Sequence, residues 1–349
     1  MNSRVKVQVP ASTANLGPGF DCLGMALSIY NDVEMEAEGG FVPFRPFSKE
    51  EVEIRVSGEG SDLLTRSPEN LVCRAASELF KSAGRRPKRL KIRCDNHIPL
   101  ARGMGSSSAA IVGGLVAANA LLDKPYIQSE LLRLATGLEG HPDNVASALL
   151  GGITVALVAR GQGDDREAGV ANSQRAEGAG QEAERERLLV RRILPPEDLE
   201  IILAVPTFTL RTSQARKALP ATIPFSDAVF NISRTAYLVA LLSSRDSSAW
   251  DSSALEELAD ATEDRLHQPY RAPLIPGFPD ARRAARQAGA IAVILSGAGP
   301  TVAAFNRKTA ENGQNLQIGA AMRAAFAKNG ISSSILITTP SITGAEIKK

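Results

Sequence analysis

A run of glycines and serines in the first third of the chain has the composition of a phosphate-binding loop. It consists of Pro99, Leu100, Ala101, Arg102, Gly103, Met104, Gly105, Ser106, Ser107, Ser108 and Ala109. A small and apolar run then continues to Leu122, and serine before such a run is typical of a helix N-cap. Glycines let a phosphate approach the backbone, and the unpaired N–H groups of a helix's first turn attract anions. The stretch predicts a phosphate site, with an ordinary turn before a buried helix as the alternative.

Two standard nucleotide motifs do not fit this loop. A Walker A loop requires lysine after its last glycine, and no lysine follows Gly105. The dinucleotide motif G-x-G-x-x-G would need glycine where Ser108 stands. A phosphate loop here must therefore be of another kind.

Two further loops combine polar groups with residues that favour burial. Loop 10–24 carries four polar residues among apolar side chains, namely Ser12, Thr13, Asn15 and Asp21. Buried polar groups need partners, of which a polar ligand is one. The second loop holds four polar residues within six positions, namely Glu139, His141, Asp143 and Asn144. This spacing is consistent with a site loop, and equally with Asp143 or Asn144 serving only as a helix N-cap.

Composition excludes several classes of function. The 349 residues suggest about two domains, 44% are hydrophobic, and the net charge is +2, so a general nucleic-acid or membrane surface is not indicated. No uncharged apolar run is long enough to cross a bilayer. The odd cysteine count, three, without metal or disulfide spacing, predicts free thiols in a reducing cytoplasm.

Periodicity places these loops on an α+β framework. Strands are predicted at 4–10, 28–36, 51–57, 88–94 and 153–159, with helices at 67–83 and from the serines to Leu122. A second unit from about residue 194 alternates strands and helices. Residues 161–187 carry almost no large apolar side chains and predict a mobile charged insertion. The predicted organisation is a first domain over 1–160, the insertion over 161–190, and a second domain over 191–349.

Taken together, the loops at 10–24, 99–108 and 296–301 resemble the GHMP small-molecule kinase family. Pro99-Leu-Ala-Arg-Gly-Met-Gly-Ser-Ser-Ser is similar to its phosphate loop, and Ser296-Gly-Ala-Gly-Pro-Thr to its C-terminal loop. Pro10-Ala-Ser-Thr-Ala-Asn-Leu-Gly-Pro-Gly-Phe-Asp resembles the first motif of the homoserine kinase branch almost residue for residue. Glu139-Gly-His-Pro-Asp-Asn and the loop that starts at Pro269 are similar to later segments of that branch.

The resemblance implies a fold and an activity. The fold would be an N-terminal domain like ribosomal protein S5 domain 2 and a C-terminal ferredoxin-like domain, with the site between them. The activity would be phosphorylation of the side-chain hydroxyl of L-homoserine by ATP and Mg²⁺, a step toward threonine. No nucleic-acid or membrane partner is expected, and the family often forms homodimers.

The resemblance also assigns roles to residues. It implies phosphate binding by loop 99–109, adenine-side contacts by Asn70 and Leu71, and magnesium ligation by Ser107 and Glu139. Arg216 and Arg271 would bind the substrate carboxylate and Asp21 its ammonium. The remaining substrate contacts would come from Asn15, His141 and Asn144.

The sequence does not decide which residue, if any, is the catalytic base. Asp143 and Asn144 stand near the position where some GHMP kinases carry an aspartate base. We hypothesise that Asp143 is structural or orienting, because a loose transition state leaves the hydroxyl proton in place until late. The competing functions are another GHMP kinase, such as a mevalonate kinase, and a non-catalytic binding protein of the same fold.

Overall fold

The computed structural model describes residues 4–160, 186–243, 252–308 and 313–348, and within these ranges the strands form two sheets. The seven strands of the first sheet are β1 (Arg4–Ala14), β2 (Leu23–Pro43), β3 (Val52–Gly58), β4 (Arg85–Asn96), β5 (Ile153–Arg160), β6 (Glu186–Ile193) and β11 (Glu346–Lys348). The four strands of the second sheet are β7 (Leu199–Pro206), β8 (Ala292–Leu295), β9 (Val302–Arg307) and β10 (Ser333–Thr338).

The long strand β2 organises the first sheet. It pairs antiparallel with β1 on one side and with β4 on the other, and its first residues also pair with β5. β1 begins with the alternation of a half-buried strand, with Val5, Val7 and Val9 buried. After a register shift between Pro10 and Ala11, every residue to Ala14 is buried. The strand thus delivers loop 15–22 into the interior of the protein.

Four helices accompany the first sheet: α1 (Leu71–Ser82), α2 (Ser106–Leu121), α3 (Gln128–Glu139) and α4 (Pro142–Leu150). Helix α2 is buried on almost every side, as expected for a helix without a polar face. Its small residues permit close packing against α1, since a Cβ at Gly114 would lie only 2.4 Å from the carbonyl oxygen of Val72.

The second sheet has the strand order β10-β7-β9-β8, with antiparallel pairing throughout. Its helices are α5 (Thr212–Lys217), α6 (Phe225–Ser243), α7 (Ser252–Ala261), α8 (Gln268–Arg271), α9 (Phe278–Gln287) and α10 (Gly313–Lys328). Strand β7, intervening helices, the β8–β9 pair, α10 and β10 follow one another in β-α-β-β-α-β order. This is the ferredoxin-like arrangement.

The structure bears on three boundaries predicted from the sequence. The helix predicted at 67–83 begins at Leu71, because the Asn70 side chain accepts a hydrogen bond from Val72 N and caps it. Residues 186–190, assigned to the charged insertion, form the first part of β6, and residues 161–185 lie outside the described residues. β6 and β11 both join the first sheet, and the domain limits stay a prediction.

No helix among the described residues is long and apolar enough to cross a membrane.

Candidate active site

A cavity of about 440 Å³ lies where the three glycine-rich loops meet. Eighteen of the residues singled out from the sequence line it: Asn15, Asp21, Asn70, Leu71, Leu100, Ala101, Arg102, Gly103, Met104, Gly105, Ser106, Ser107, Glu139, His141, Asp143, Asn144, Arg216 and Arg271. Pro99, Ser108 and Ala109 do not line it. The cavity therefore joins loops from both halves of the chain.

The phosphate loop enters α2 through Gly105, which is the N-cap residue. Gly105 has φ = +69°, and a Cβ there would lie 1.9 Å from Ser12 Oγ. Ser106, Ser107 and Ser108 form the first turn of the helix instead. The expectation that a serine caps α2 is therefore wrong, because the left-handed turn against β1 requires glycine.

The third glycine-rich loop packs directly on the phosphate loop. Gly103 has φ = +75°, and a Cβ there would lie 2.2 Å from the carbonyl oxygen of Ser296. The Ser296 hydroxyl donates to the carbonyl oxygen of Gly103 at 2.7 Å and lies 2.9 Å from Thr13 Oγ1. Ser296 is thus the point at which all three loops meet.

Arg102 ties the phosphate loop to the second sheet. Its Nε donates to the carbonyl oxygen of Pro206 at 2.8 Å, and its Nη2 donates to that of Thr207 at 2.9 Å. Leu210 N also donates to the carbonyl oxygen of Ala101 at 3.0 Å. These bonds fix the loop relative to the end of β7, and they engage the Arg102 guanidinium with backbone carbonyls.

Glu139 and two serines form an oxygen-rich group beside the start of α2. Ser107 Oγ donates to Glu139 Oε1 at 2.7 Å, and Ser108 Oγ donates to the same oxygen at 2.9 Å. Within the described part of the chain, Glu139 Oε2 has no hydrogen-bond or ion-pair partner. Hydroxyl and carboxylate oxygens are the ligands that Mg²⁺ accepts. The donor set at Ser107 and Glu139 therefore fits a magnesium ion.

Opposite charges face each other in another part of the cavity lining. Arg216 and Asp21 form a bidentate pair, with Nη1–Oδ2 at 2.9 Å and Nη2–Oδ1 at 2.7 Å. Arg271 is 1% exposed and donates to the carbonyl oxygens of Gly297 and Ala215 at 3.0 and 3.4 Å. Burial, together with the charge of Arg216, lowers the pKa of Arg271 to about 10.

A hydrogen-bonded chain runs from His141 to β1. His141 Nδ1 lies 2.5 Å from Asp143 Oδ1, which also accepts from Asn144 N at 2.7 Å. Asn144 Oδ1 in turn accepts from Ser12 Oγ at 2.8 Å. Burial opposes protonation of His141, but the hydrogen bond and charge of Asp143 outweigh it and raise the pKa of His141.

Neither Asp143 nor Asn144 is the N-cap of α4, so the interpretation of either residue as only a cap is wrong. His141 occupies that position, and Pro142 is the first helical residue. One ligand atom each from Asp21, His141 and Asp143 lies within 4.8 Å of the others. This cluster could attract a cation or an ammonium group.

Asn15 and Asn70 are held by several bonds each. Asn15 has φ = +69°, its Oδ1 accepts from Asp21 N at 3.1 Å, and its Nδ2 donates to the carbonyl oxygen of Gly297 at 3.0 Å. Asn70 Oδ1 caps α1, and its Nδ2 donates to the carbonyl oxygen of Thr65 at 2.8 Å. Asn15 therefore shapes the loop that presents Asp21, while Asn70 shapes one wall of the cavity.

Comparison with known proteins decides the family. The model of the GHMP kinases N-terminal domain matches residues 70–152, and that of the GHMP kinases C-terminal domain matches residues 248–326. A homoserine kinase from Carboxydothermus hydrogenoformans is 43% identical over 98% of this chain and 96% of its own. The chain belongs to the homoserine kinase family of GHMP kinases. The resemblance inferred from the loop motifs is thereby confirmed.

Two further relatives support membership of the homoserine kinase family. A homoserine kinase from Moorella thermoacetica is 42% identical over 98% of this chain and 99% of its own. The crystal structure of homoserine kinase from Cytophaga hutchinsonii superposes with a TM-score of 0.77 at 26% identity, covering 100% of this chain and 98% of that chain. The α+β two-domain GHMP kinase fold expected from the sequence is confirmed.

Several residues that shape the site were visible in the sequence motifs but received no role in the site. Ser12, Thr13 and Ser296 have buried side chains that connect the loops, and Arg211 and Thr212 line the cavity. Ser12 and Thr13 lie in the same polar loop as Asn15, and Ser296 opens the third glycine-rich loop. Their positions in these loops could have identified them as site residues. The hydrogen bonds that join one loop to another could not be predicted from the sequence.

Proposed function

We propose that this chain transfers the γ-phosphoryl group of ATP to the side-chain hydroxyl of L-homoserine, releasing ADP and O-phospho-L-homoserine, a precursor of threonine. The observation that carries the proposal is the make-up of the cavity, which places a glycine loop and helix N-terminus beside two arginines and a carboxylate cluster. A helix N-terminus suits phosphates, whereas arginines and carboxylates suit an amino-acid zwitterion.

The nucleotide end of the cavity is built from loop 103–107. Its glycines bring the backbone close, and the first-turn N–H groups of α2 supply donors where a Walker loop would supply lysine. Leu64, Leu71 and Leu100 line the same cavity with apolar surface, next to Asn70. We assign this surface to the adenine, and the loop to the phosphates.

Magnesium is assigned to Ser107 and Glu139. Both residues present oxygen at the start of α2, and Mg²⁺ needs few protein ligands because it keeps several waters. When bound, the ion neutralises charge on the phosphate oxygens. Glu139 orients the two serine hydroxyls, and the carboxylate brings negative charge that a divalent ion would balance.

The substrate end matches a zwitterion that carries a hydroxyl. Arg216 and Arg271 provide guanidinium groups for a carboxylate, and the cluster of Asp21, His141 and Asp143 attracts an ammonium. Because Asp21 and Arg216 are paired with each other, we expect the ligand's ammonium and carboxylate to replace part of that ion pair. An alcohol that lacks the amine would replace only one side of it.

Positioning, rather than a strong base, accounts for the transfer. Asp143 is 2% exposed, and its Oδ1 already accepts hydrogen bonds from Asn144 N and, at the 2.5 Å contact, from His141. In a loose transition state the attacking hydroxyl loses its proton late. Asp143 therefore orients His141 and Asn144, and these face the substrate.

The cysteines indicate the kind of compartment in which the reaction takes place. The thiols of Cys22, Cys73 and Cys94 are free in the structure, which supports a role in a reducing compartment such as the cytoplasm.

The test compares alcohols in a coupled assay of ADP release. L-homoserine with Mg-ATP should give turnover, and mevalonate, which has a carboxylate but no amine, should give little. A Ser107→Ala variant should lose most of this turnover while remaining folded. Turnover with mevalonate instead of homoserine would indicate a mevalonate kinase. Failure to bind Mg-ATP in calorimetry would favour a non-catalytic binding protein.

A further inference from the structure

A buried histidine lies behind the substrate end of the cavity and outside the residues assigned above. His267 is fully buried and immediately precedes α8, the short helix that ends at Arg271. Its ring packs on Phe20 with centroids 5.3 Å apart. A buried imidazole needs a partner for each ring nitrogen, because an unpaired polar atom in the interior is costly.

The two ring nitrogens contact opposite sides of the substrate site. Nε2 lies 2.7 Å from the carbonyl oxygen of Gly17, in the loop that presents Asp21. Nδ1 lies 3.3 Å from Arg271 Nη1. The residues His267 and Arg271 are four positions apart, so the helical turn stacks one above the other.

These partners permit only one protonation state. A guanidinium has donors and no acceptor, so Nδ1 must accept its hydrogen bond from Arg271. A carbonyl oxygen only accepts, so Nε2 must carry the proton and donate it to Gly17. His267 is therefore neutral, with its hydrogen on Nε2.

The surroundings of His267 agree with a neutral ring. Asp264 is also buried, and its carboxylate accepts hydrogen bonds from the backbone N–H groups of residues 266, 267 and 268 and from the Asn231 amide. Its Oδ2 lies 3.6 Å from His267 Nε2, beyond hydrogen-bond range. Burial and the neighbouring Arg271 charge lower the pKa of His267.

Among the described residues, Arg271 makes three hydrogen bonds, and one of them is to His267 Nδ1. Its other hydrogen bonds go to the carbonyl oxygens of Gly297 and Ala215. Among the described residues, no carboxylate forms an ion pair with Arg271. The orientation of the guanidinium is therefore set by two backbone carbonyls, the His267 imidazole and the Phe20 ring, whose centroid lies 5.2 Å from Arg271 Cζ.

We propose that His267 is a positioning residue for the substrate carboxylate, because its Nε2–H imidazole fixes the Arg271 guanidinium relative to the loop that carries Asp21. The inference rests on the proposed function and deepens it. His267 touches no substrate in this scheme. It acts by holding the carboxylate-binding arginine and the ammonium-binding loop at one spacing, so its loss affects amino-acid binding before nucleotide binding.

Steady-state kinetics test the role through the two substrates. His267→Ala should raise KM for L-homoserine by about tenfold or more and change KM for ATP less than about twofold. His267→Gln can donate to Gly17 and accept from Arg271, so it should recover most of the lost affinity. Leu238→Ala, a buried truncation on α6, is the control for general loss of stability and should leave both KM values unchanged.

Two outcomes for the single variant would overturn the proposal. One is an unchanged KM for homoserine in His267→Ala, and the other is an equal rise in both KM values that follows the loss in Tm. In an Arg271→Ala background, His267→Ala should add nothing further to the homoserine KM, because the residue it positions is gone. Independent effects in that double variant would also contradict the positioning role.

A separate readout does not depend on turnover. Nitrogen-15 NMR of the wild-type chain, which has three histidines, should show His267 as the neutral Nε2–H tautomer near neutral pH, identified by its absence in His267→Gln. A protonated ring or an Nδ1–H tautomer would overturn the contact scheme. If the wild type does not phosphorylate homoserine while this tautomer is found, the proposed function fails and the Arg271 contact stands.

Discussion

His141 Nδ1 and Asp143 Oδ1 are 2.5 Å apart in the wall of the cavity. The side chain of Asp143 is 2% exposed and that of His141 is 13% exposed. The pair connects His141, which lines the cavity, to Asn144 and, through Ser12, to the buried end of β1. The short contact therefore links a titratable group of the site to the framework of the first sheet.

The His141–Asp143 pair predicts a pH-dependent contribution to stability. The pKa of His141 is raised in the folded chain, so its stabilisation is fully present below the unfolded value of about 6.5 and is lost as pH rises through the raised pKa. Urea unfolding should therefore show His141→Asn to be more destabilising at about pH 5.5 than at about pH 9. The exposed His97→Asn serves as the control. A loss that is the same at both pH values would contradict the pairing.

Replacement of Asp143 tests whether it is a base or an orienting group. In Asp143→Asn the Oδ1 acceptor for His141 and Asn144 N is preserved, so we expect kcat to fall by less than about tenfold. Removal of a general base typically costs about 10²–10⁴ in rate. A loss of that size in kcat, with unchanged homoserine binding in calorimetry, would make Asp143 the base.

Glu139→Gln tests the assigned metal position. The amide oxygen can still accept from Ser107 and Ser108, so the fold should remain intact, but the negative charge next to the phosphates is lost. We expect kcat to fall by about 10²-fold or more and the magnesium concentration for half-maximal activity to rise. Glu78→Gln on α1, where the carboxylate is half-exposed and outside the cavity, is the matched control. Unchanged magnesium dependence in Glu139→Gln would place the ion elsewhere.

Gly105→Ala tests the close approach of the phosphate loop to β1. Its positive φ and a Cβ position 1.9 Å from Ser12 Oγ both disfavour any side chain, so we expect a lower Tm and a several-fold higher KM for ATP. Gly137→Ala is the opposite case, since it lies within α3 with nothing within 4 Å of the added Cβ. It should stabilise the helix by up to about 1 kcal/mol without changing KM. Equal effects of the two changes would contradict the loop geometry.

Local sequence patterns predicted the loops but not their pairing. The serines at 106–108 indicated the start of α2, yet the cap is Gly105, because the approach of Ser12 from β1 dictates a left-handed turn. That contact joins residues more than ninety positions apart, and a local helix signal carries no information about it. The resemblance to the family motifs, and not the periodicity, predicted that loops 10–24 and 296–301 belong to the same site.

The sequence alone also did not predict which charged side chains pair with each other. Arg216 and Asp21 were assigned to opposite ends of a zwitterion, and the structure shows them bonded to each other. Arg102 stands in the phosphate loop, but its guanidinium holds the end of β7. The residue types were sufficient to identify candidates, whereas their partners depend on the packing of the second sheet against the first.

We have proposed that the cavity binds an amino-acid zwitterion and positions its hydroxyl for phosphorylation. The most direct measurement offers Mg-ATP with equal concentrations of L-homoserine and mevalonate in one reaction and identifies the phosphorylated product by mass spectrometry and phosphorus NMR. We predict O-phospho-L-homoserine as the dominant product, with its formation lost in Arg216→Ala. Dominant phosphomevalonate, or ATP hydrolysis without a phosphorylated alcohol, would contradict the proposed homoserine kinase activity.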